Sequence, residues 1–206
     1  MFSNLQISRT LVKKDVRMEH SGKTVSEEAI RQEWLEIQAA QRDRTQFRPL
    51  YNRYYESIFR FVYRRTADED LTADLCSQVF LKAMTRLDGY QFQGVPFSAW
   101  LFRIASNEVA QHYRKVNKDR VVSVEEEQLS DLADEIEEEL GEDHRQALLG
   151  ALDDLPEKDL ELIELRFFEQ RPFKEIAEIL DITESNAKVR TYRILERLKK
   201  KMPPQR

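Results

Sequence analysis

The most constraining feature of the sequence is a pair of helical patterns near the C-terminus, separated only by Asp181-Ile182-Thr183. The first covers Phe173 to Leu180 and the second runs from Glu184 to about Lys200, and apolar residues at three- and four-residue spacing mark both. Asp181 tolerates the positive φ that such a turn normally requires better than most residues do, and Thr183 can cap the second helix. The pattern predicts a helix-turn-helix.

The second helix of this pair is strongly basic, with seven basic and two acidic residues between Glu184 and Lys201. Because the major groove of DNA admits one helix, we expect this helix to bind DNA through its exposed face, with Lys199 to Lys201 on phosphate. That face presents Lys188, Arg190, Tyr192, Arg193 and Arg197. The alternative is a surface helix with scattered charge, since a basic C-terminal end is common in helices.

Charge is distributed very unevenly along the chain. The net charge of the 206 residues is −5, yet Val121 to His144 holds eleven acidic residues and no Lys or Arg. Basic segments flank this strip, with a net charge of +4 from Thr45 to Arg120. Since phosphate binding depends on local charge, the overall acidity does not exclude nucleic acid as a partner. We expect the strip to be a linker in which Leu129, Leu132, Ile136 and Leu140 form a short amphipathic turn.

The segment before the strip predicts a helical bundle. Apolar residues recur at helical spacing from about Thr45 to Arg65, from Asp68 to Leu87, and again from Phe97 onward. The intervening Tyr90 to Pro96 contains two aromatic residues, a Gly and a Pro, and is typical of a loop. Aromatic residues beside a basic helix suit single-stranded DNA, in which unpaired bases stack while cations hold the backbone. Read alone, the module would be only a helical bundle, and Phe97 and Trp100 are more typical of a core.

Composition excludes several other classes. Only five Gly and six Pro favour an all-helical protein, and no apolar run approaches the ~20 residues that span a bilayer. Met1 to Lys14 lacks the apolar segment of a secretory signal, so we expect a cytoplasmic location without membrane insertion. The one cysteine, Cys76, and three histidines leave no plausible disulfide framework or structural zinc site. We expect no metal and no cofactor.

Four segments in order resemble the sigma-70 family of bacterial RNA polymerase, specifically its small extracytoplasmic-function class. They begin at Leu50 (LYNRYYESIF), Asp74 (DLCSQVFLKA), Phe97 (FSAWLFRIASN) and Ile176 (IAEILDITESNAKVR). The resemblance implies an all-α fold of two small helical domains joined by an acidic linker, the second domain containing the helix-turn-helix. It also implies a sigma factor that directs the polymerase core to promoters and takes part in promoter melting and initiation.

The resemblance further implies a division of labour among the segments. One helix would dock on the clamp of the polymerase largest subunit, through residues Asp74, Ser77, Gln78, Phe80 and Lys82. The loop and helix that follow would bind the minus-ten element, through residues Tyr90, Phe92, Asn107, Arg114 and Lys115. The helix-turn-helix would read the minus-thirty-five element and contact the polymerase flap. An anti-sigma factor is a usual partner in this family.

The predicted domains are an N-terminal extension (1–44, partly helical from Ser26), a region 2-like bundle (45–120), the acidic linker (121–144) and a region 4-like domain (145–206). The linker would thread through the polymerase as a nucleic-acid mimic, or serve only as a spacer. Two other functions are alternatives: a helix-turn-helix regulator that acts without polymerase, and an enzyme acting on DNA. The second lacks the clustered nucleophile or carboxylate metal site that such chemistry needs, so we expect no enzymatic activity.

Overall fold

The computed structural model describes residues 26–116, 124–136 and 141–203, and within these ranges all regular structure is helical. The predictions for residues 1–25, and for Leu140, lie outside the described residues. In the described part of the chain, no helix combines the length and apolar character needed to cross a bilayer.

Four helices make the first bundle: α1 (Glu27–Arg42), α2 (Arg48–Thr66), α3 (Glu69–Arg86) and α4 (Phe97–Val116). The predicted helix starts are confirmed, because Ser26 accepts a hydrogen bond from the backbone of Ala29 and Asp68 accepts one from that of Leu71. Both acceptors occupy the position before the helix, where they pair an otherwise unsatisfied N–H. The helices bury Leu50, Phe61, Val79, Phe97 and Phe102 in a common core.

The middle of the acidic strip forms a helix, α5 (Glu126–Glu135). Leu129, Leu132 and Ile136 are buried, as the predicted amphipathic turn requires. The helix packs against the C-terminal module, and Glu126 forms an ion pair with Arg145 at 2.7 Å. This part of the strip is therefore folded, with its carboxylates on the outside and its leucines inside.

The C-terminal module consists of α6 (Glu142–Asp153), α7 (Glu157–Ile163), α8 (Phe173–Leu180) and α9 (Glu184–Lys201). Pro156 stands immediately before α7, where its fixed φ suits a helix start. Helix α7 continues as a π-helical turn, Glu164–Phe168, all of whose residues are buried. Helix α8 packs on α4, so the two modules are in contact.

Candidate nucleic-acid interface

The helix-turn-helix has the geometry that its sequence predicts. Asp181 ends α8 with φ 56° and ψ 49°, the left-handed conformation expected at this turn position. The backbone N–H of Ile182 donates to the carbonyl of Ala177 at 3.0 Å, and the Thr183 hydroxyl accepts from Asn186 N at 3.2 Å. These bonds satisfy backbone groups at both helix ends, so the turn is closed without further residues.

The predicted DNA-binding face of α9 is partly engaged within the protein. Arg193 is exposed. Arg190 donates to Asp159 at 2.9 Å, and Arg197 donates to the other oxygen of the same carboxylate. Lys188 forms an ion pair with Glu184 at 3.3 Å and is partly buried, as is Tyr192. The face therefore presents Arg193 directly to solvent, while Asp159 of α7 holds two of its other cations.

Asp159 is a strong partner for these cations. Burial raises the pKa of its carboxyl, but the hydrogen bonds from Arg197 and Arg190 outweigh burial and hold the pKa below its usual value. The carboxylate is consequently charged at neutral pH. A phosphate that binds Arg190 or Arg197 has to compete with it.

The two aromatic residues of the predicted base-capturing loop have different environments. Phe92 is 43% exposed, whereas Tyr90 is 7% exposed. The Tyr90 ring lies 4.8 Å from that of Trp100 and 5.2 Å from that of Phe97, measured between centroids. Burial raises the pKa of Tyr90. Phe92 can therefore meet a base directly, while Tyr90 supports the loop from inside.

The predicted residues of α4 share one exposed face. Asn107, Arg114 and Lys115 are exposed. The Asn107 side chain donates to the carbonyl of Arg103, one turn earlier, at 2.8 Å. Arg103 belongs to this face too, although sequence reasoning did not select it. Its spacing of four residues from Asn107 would have placed it on the same helix face.

The predicted docking residues of α3 divide into two groups. Asp74, Ser77 and Gln78 are exposed on one face of the helix. Phe80 is 4% exposed, and the ring of Tyr51 lies 4.7 Å from it. Lys82 is half-buried and bridges both oxygens of Glu108 in α4, at 2.5 and 2.6 Å. Phe80 and Lys82 thus join α3 to its neighbours.

Leu81 is a candidate docking residue that sequence reasoning missed. It is 60% exposed and extends the face of Asp74, Ser77 and Gln78 by one helical turn. The spacing i, i+3, i+4, i+7 would have identified it. An exposed leucine beside polar residues is a common feature of a protein-binding surface.

Buried ion pairs join the two modules. Arg64 pairs with Glu169, with side chains only 11% and 9% exposed. Its neighbour Arg65 donates through Nε to Glu164 at 2.8 Å and lies 3.9 Å from Glu161. Removal of one partner from such a pair is destabilising, because it leaves a buried charge uncompensated. The contact between the modules is therefore held by charges that must separate together.

Three of the predicted DNA-binding residues, drawn from both modules, line one cleft. Its volume is about 480 Å³, and its lining includes Asn107 and Arg114 of α4 and Arg190 of α9. At its edge, Arg103 contacts the Glu178 carboxylate at 3.3 Å and that of Asp181 at 3.6 Å. The described conformation thus brings together part of each predicted DNA-binding face, although the two faces were expected to contact separate stretches of DNA.

Comparison with known proteins identifies both modules. The family described as Sigma-70 region 2 matches residues 50–119, and the family described as Sigma-70, region 4 matches residues 145–198. The first match contains α2, α3 and the loop and helix that follow. The second contains α8, the turn and all but the last three residues of α9.

Curated relatives have the same character over most of this chain. The ECF RNA polymerase sigma factor BldN of Streptomyces coelicolor is 30% identical over 76% of this chain, and the match spans 60% of BldN. The ECF RNA polymerase sigma factor SigM of Bacillus subtilis is 26% identical, with 73% of this chain and 91% of SigM aligned. The ECF RNA polymerase sigma-E factor of Escherichia coli K12 is 29% identical over 79% of this chain and 89% of its own.

A solved structure has a similar fold. CnrH, in complex with the cytosolic domain of CnrY, matches with a TM-score of 0.57 and 20% identity, over 81% of this chain and 94% of CnrH. The two region matches, in order and at opposite ends of one helical chain, agree with the curated relatives. The chain belongs to the sigma-70 family of transcription initiation factors, in its extracytoplasmic-function class, and directs RNA polymerase to promoters.

Proposed function

We propose that this sigma factor contacts its promoter through two faces, the loop and α4 at the minus-ten element and α9 at the minus-thirty-five element. The observation that carries the proposal is the occurrence of a helix-turn-helix and of a separate basic face beside the exposed Phe92 within the two matched regions. The proposed domain limits remain 45–120 and 145–206. They follow the region matches closely.

At the minus-ten element, Phe92 stacks on or beside an unpaired base, and Tyr90 holds the loop in shape. Asn107, Arg114 and Lys115 contact the adjacent backbone and bases. The exposure of Phe92 and of these three side chains supports the assignment. Aromatic stacking with nearby cations is the usual chemistry of single-strand binding.

At the minus-thirty-five element, α9 enters the major groove. Arg193, which is exposed, meets the DNA first. Arg190 and Arg197 join it after exchanging Asp159 for phosphate or a base edge, since an arginine fork can form two hydrogen bonds with a carboxylate, a phosphate or a guanine. Lys188 and Tyr192 complete the proposed face.

Docking on polymerase core uses the exposed face of α3. Asp74, Ser77 and Gln78 contribute polar contacts, and we add Leu81 as their apolar neighbour. Phe80 and Lys82 act indirectly, by fixing α3 against α2 and α4. The largest-subunit clamp is the proposed partner of this face, and the flap is the proposed partner of the C-terminal module.

Promoter binding requires the two modules to separate. Proposed DNA-binding residues of both modules line the cleft between them. Two distant stretches of duplex cannot enter this cleft at once. Binding to polymerase core therefore has to replace the contacts of Arg64, Arg65 and Arg103. An anti-sigma protein is a further proposed partner, on the strength of the family resemblance.

The protein acts without enzymatic chemistry of its own and in the cytoplasm, where its template is. The acidic linker serves either as a mimic of nucleic acid in the polymerase channel or as a spacer. Its folded part, α5, exposes the carboxylate of Glu126, 61% exposed, toward solvent. Both roles require that the carboxylates of α5 face solvent.

Footprinting of the reconstituted holoenzyme tests the proposed faces. With core polymerase and a cognate promoter, Arg193→Ala should weaken protection of the upstream element, and Asn107→Ala should weaken opening of the downstream one. Arg60→Ala, an exposed cation on α2, is the matched control and should change neither. Protection that is unaltered by both variants would contradict the assignment of the faces. A native gel without polymerase shows whether duplex binding needs the core.

A further inference from the structure

Helix α1 lies before the residues that match region 2, and none of the proposed DNA or polymerase contacts belongs to it. It packs against the other helices of the first bundle, with Ile37 and Ala40 buried. Three of its polar or aromatic side chains, Glu33, Trp34 and Gln41, reach the segment from Leu87 to Phe97. That segment contains the proposed base-capturing loop and the first residue of α4.

Gln41 holds the beginning of the loop. Its side-chain Nε2 donates to the carbonyl of Leu87 at 2.8 Å and to that of Tyr90 at 3.0 Å. Leu87 is the first residue of the short 3₁₀ turn Leu87–Gly89, and Tyr90 follows the turn as the first residue of the loop. A single amide thus fixes the direction in which the chain leaves α3.

Glu33 holds the end of the loop. Its carboxylate is 5% exposed and accepts a hydrogen bond from the backbone N–H of Phe97 at 2.7 Å. Phe97 begins α4, and the preceding Pro96 has no side-chain acceptor, so the helix receives its cap from α1. A carboxylate at this position also suits the positive end of the helix dipole.

The same carboxylate is tied to α2. The Tyr54 hydroxyl and Arg53, at 3.3 Å, both donate to it. Burial, followed by the charge of Glu33, raises the pKa of Tyr54, which therefore remains a donor. Glu33 is consequently fixed from two sides while it caps α4.

Trp34 supports the middle of the loop. Its ring centroid lies 5.8 Å from that of Phe92 and 6.3 Å from that of Tyr90. Phe92 has one side against Trp34 and is still 43% exposed. A cavity of about 470 Å³ adjoins Phe92, with Ile30 and Arg31 of α1 among its lining residues.

We propose that α1 positions the minus-ten loop, with Gln41 and Glu33 fixing its two ends and Trp34 backing Phe92, and so contributes to discrimination of the unpaired base. The proposal rests on the proposed function, because it assumes that the loop captures a base. It assigns α1 a positioning role and no direct contact with the base. Without Trp34, the Phe92 ring loses its support and samples other orientations, and its stacking becomes less selective.

A purely structural role for α1 makes a different prediction. Loss of packing would lower thermal stability and would leave base preference unchanged in the folded fraction. A positioning role changes base preference at temperatures where the variant remains folded. The two roles therefore separate when preference and stability are measured on the same protein.

The experiment uses full-length chain, core polymerase and premelted templates that differ only at the unpaired minus-ten base. Trp34→Ala should lower the preference for the best base by about tenfold, within the range of a lost base–aromatic contact. Affinity for core should be unchanged, and Trp34→Phe should retain most of the preference. Leu35→Ala, the exposed neighbour in α1, is the matched control and should behave as wild type.

Glu33→Gln provides an independent variant should Trp34→Ala fail to fold. It keeps the side-chain volume and removes the charge at the start of α4, and it should also lower base preference. A lower melting temperature with unchanged preference in these variants would overturn the proposal. Wild-type protein that shows no preference at any unpaired base would overturn the proposed function instead, so the two failures are distinguishable.

Discussion

The Arg103 guanidinium of α4 lies 3.3 Å from the Glu178 carboxylate of α8 and 3.5 Å from the Glu178 carbonyl, so the proposed minus-ten helix is bonded directly to the helix-turn-helix. Arg171 adds a second link, at 3.3 Å from the Ser98 hydroxyl and above the Phe102 ring at 4.4 Å. These links hold the proposed minus-ten helix against the C-terminal module, so we expect them to break when both modules bind a promoter.

The buried pair of Arg64 and Glu169 should control this contact most strongly. Glu169→Ala leaves Arg64 without its partner at a site where its side chain is 11% exposed. Truncation of one member of a buried pair typically costs ~3–5 kcal/mol, which separation of the modules avoids by hydrating the arginine. We expect a larger radius of gyration by small-angle X-ray scattering of the free protein.

Charge reversal provides the control for that measurement. Arg64→Glu combined with Glu169→Arg restores opposite charges, and the double variant should be more compact than either single variant. Glu56→Gln, at an exposed site on α2, should leave the radius of gyration unchanged. Equal compactness in wild type, the two single reversals and the double reversal would refute a role for this pair.

Removal of Asp159 should strengthen nonspecific DNA binding. Asp159→Asn frees Arg190 and Arg197 for phosphate, and each added phosphate contact steepens the dependence of log K on log salt by about 0.9. Titration of duplex DNA at several salt concentrations measures this slope. Glu56→Gln, which removes an exposed carboxylate on α2, tests whether any lost carboxylate has the same effect.

The same carboxylate predicts a pH dependence. The pKa of Asp159 is lowered in the folded protein relative to its usual 3.8. Its contribution to stability is therefore present above about pH 4 and is lost as the pH falls through the lower folded-state pKa. Wild type and Asp159→Asn should differ in melting temperature at pH 6, and the difference should shrink at the acid end. A difference in melting temperature that does not change with pH would argue against a stabilising contact of the Asp159 carboxylate with Arg190 and Arg197.

Cys76 reports the integrity of the first bundle. It is fully buried in α3, and burial raises its pKa to about 12. The thiolate is the reactive form, so the folded protein should react very slowly with a thiol reagent at pH 8. Addition of denaturant should give rapid, stoichiometric reaction. Fast reaction under native conditions would mean that α3 opens readily.

Thr183 tests the helix-turn-helix itself. Thr183→Ala removes the acceptor for Asn186 N and should cost about 1 kcal/mol of stability, measured by denaturant unfolding. Thr183→Ser keeps the hydroxyl and should cost much less. Identical losses for the two variants would show that the cap bond has no stabilising role.

Periodicity and local chemistry were sufficient to predict most of the fold. The caps at Ser26, Asp68 and Thr183, and the positive φ of Asp181, depend only on residues within a few positions of each other. The side of each helix that is buried also follows from local spacing. These features need no knowledge of the distant chain.

Contacts between distant segments could not be predicted in the same way. Glu33 caps α4 across 64 residues, and Arg64 pairs with Glu169 across 105. A glutamate in α1 or an arginine at the end of α2 has no local signature that separates a surface charge from a buried link. For the same reason, Tyr90 and Phe92 had equal standing in the sequence, yet the structure buries only the first.

The most direct test of the account is run-off transcription with purified core polymerase, the full-length chain and a randomised promoter library. We predict that the chain binds core and yields transcripts from templates that share two short elements, one upstream contacted by α9 and one at the melted region contacted by the loop and α4. Failure to bind core, or transcripts without any shared element, would contradict the central claim.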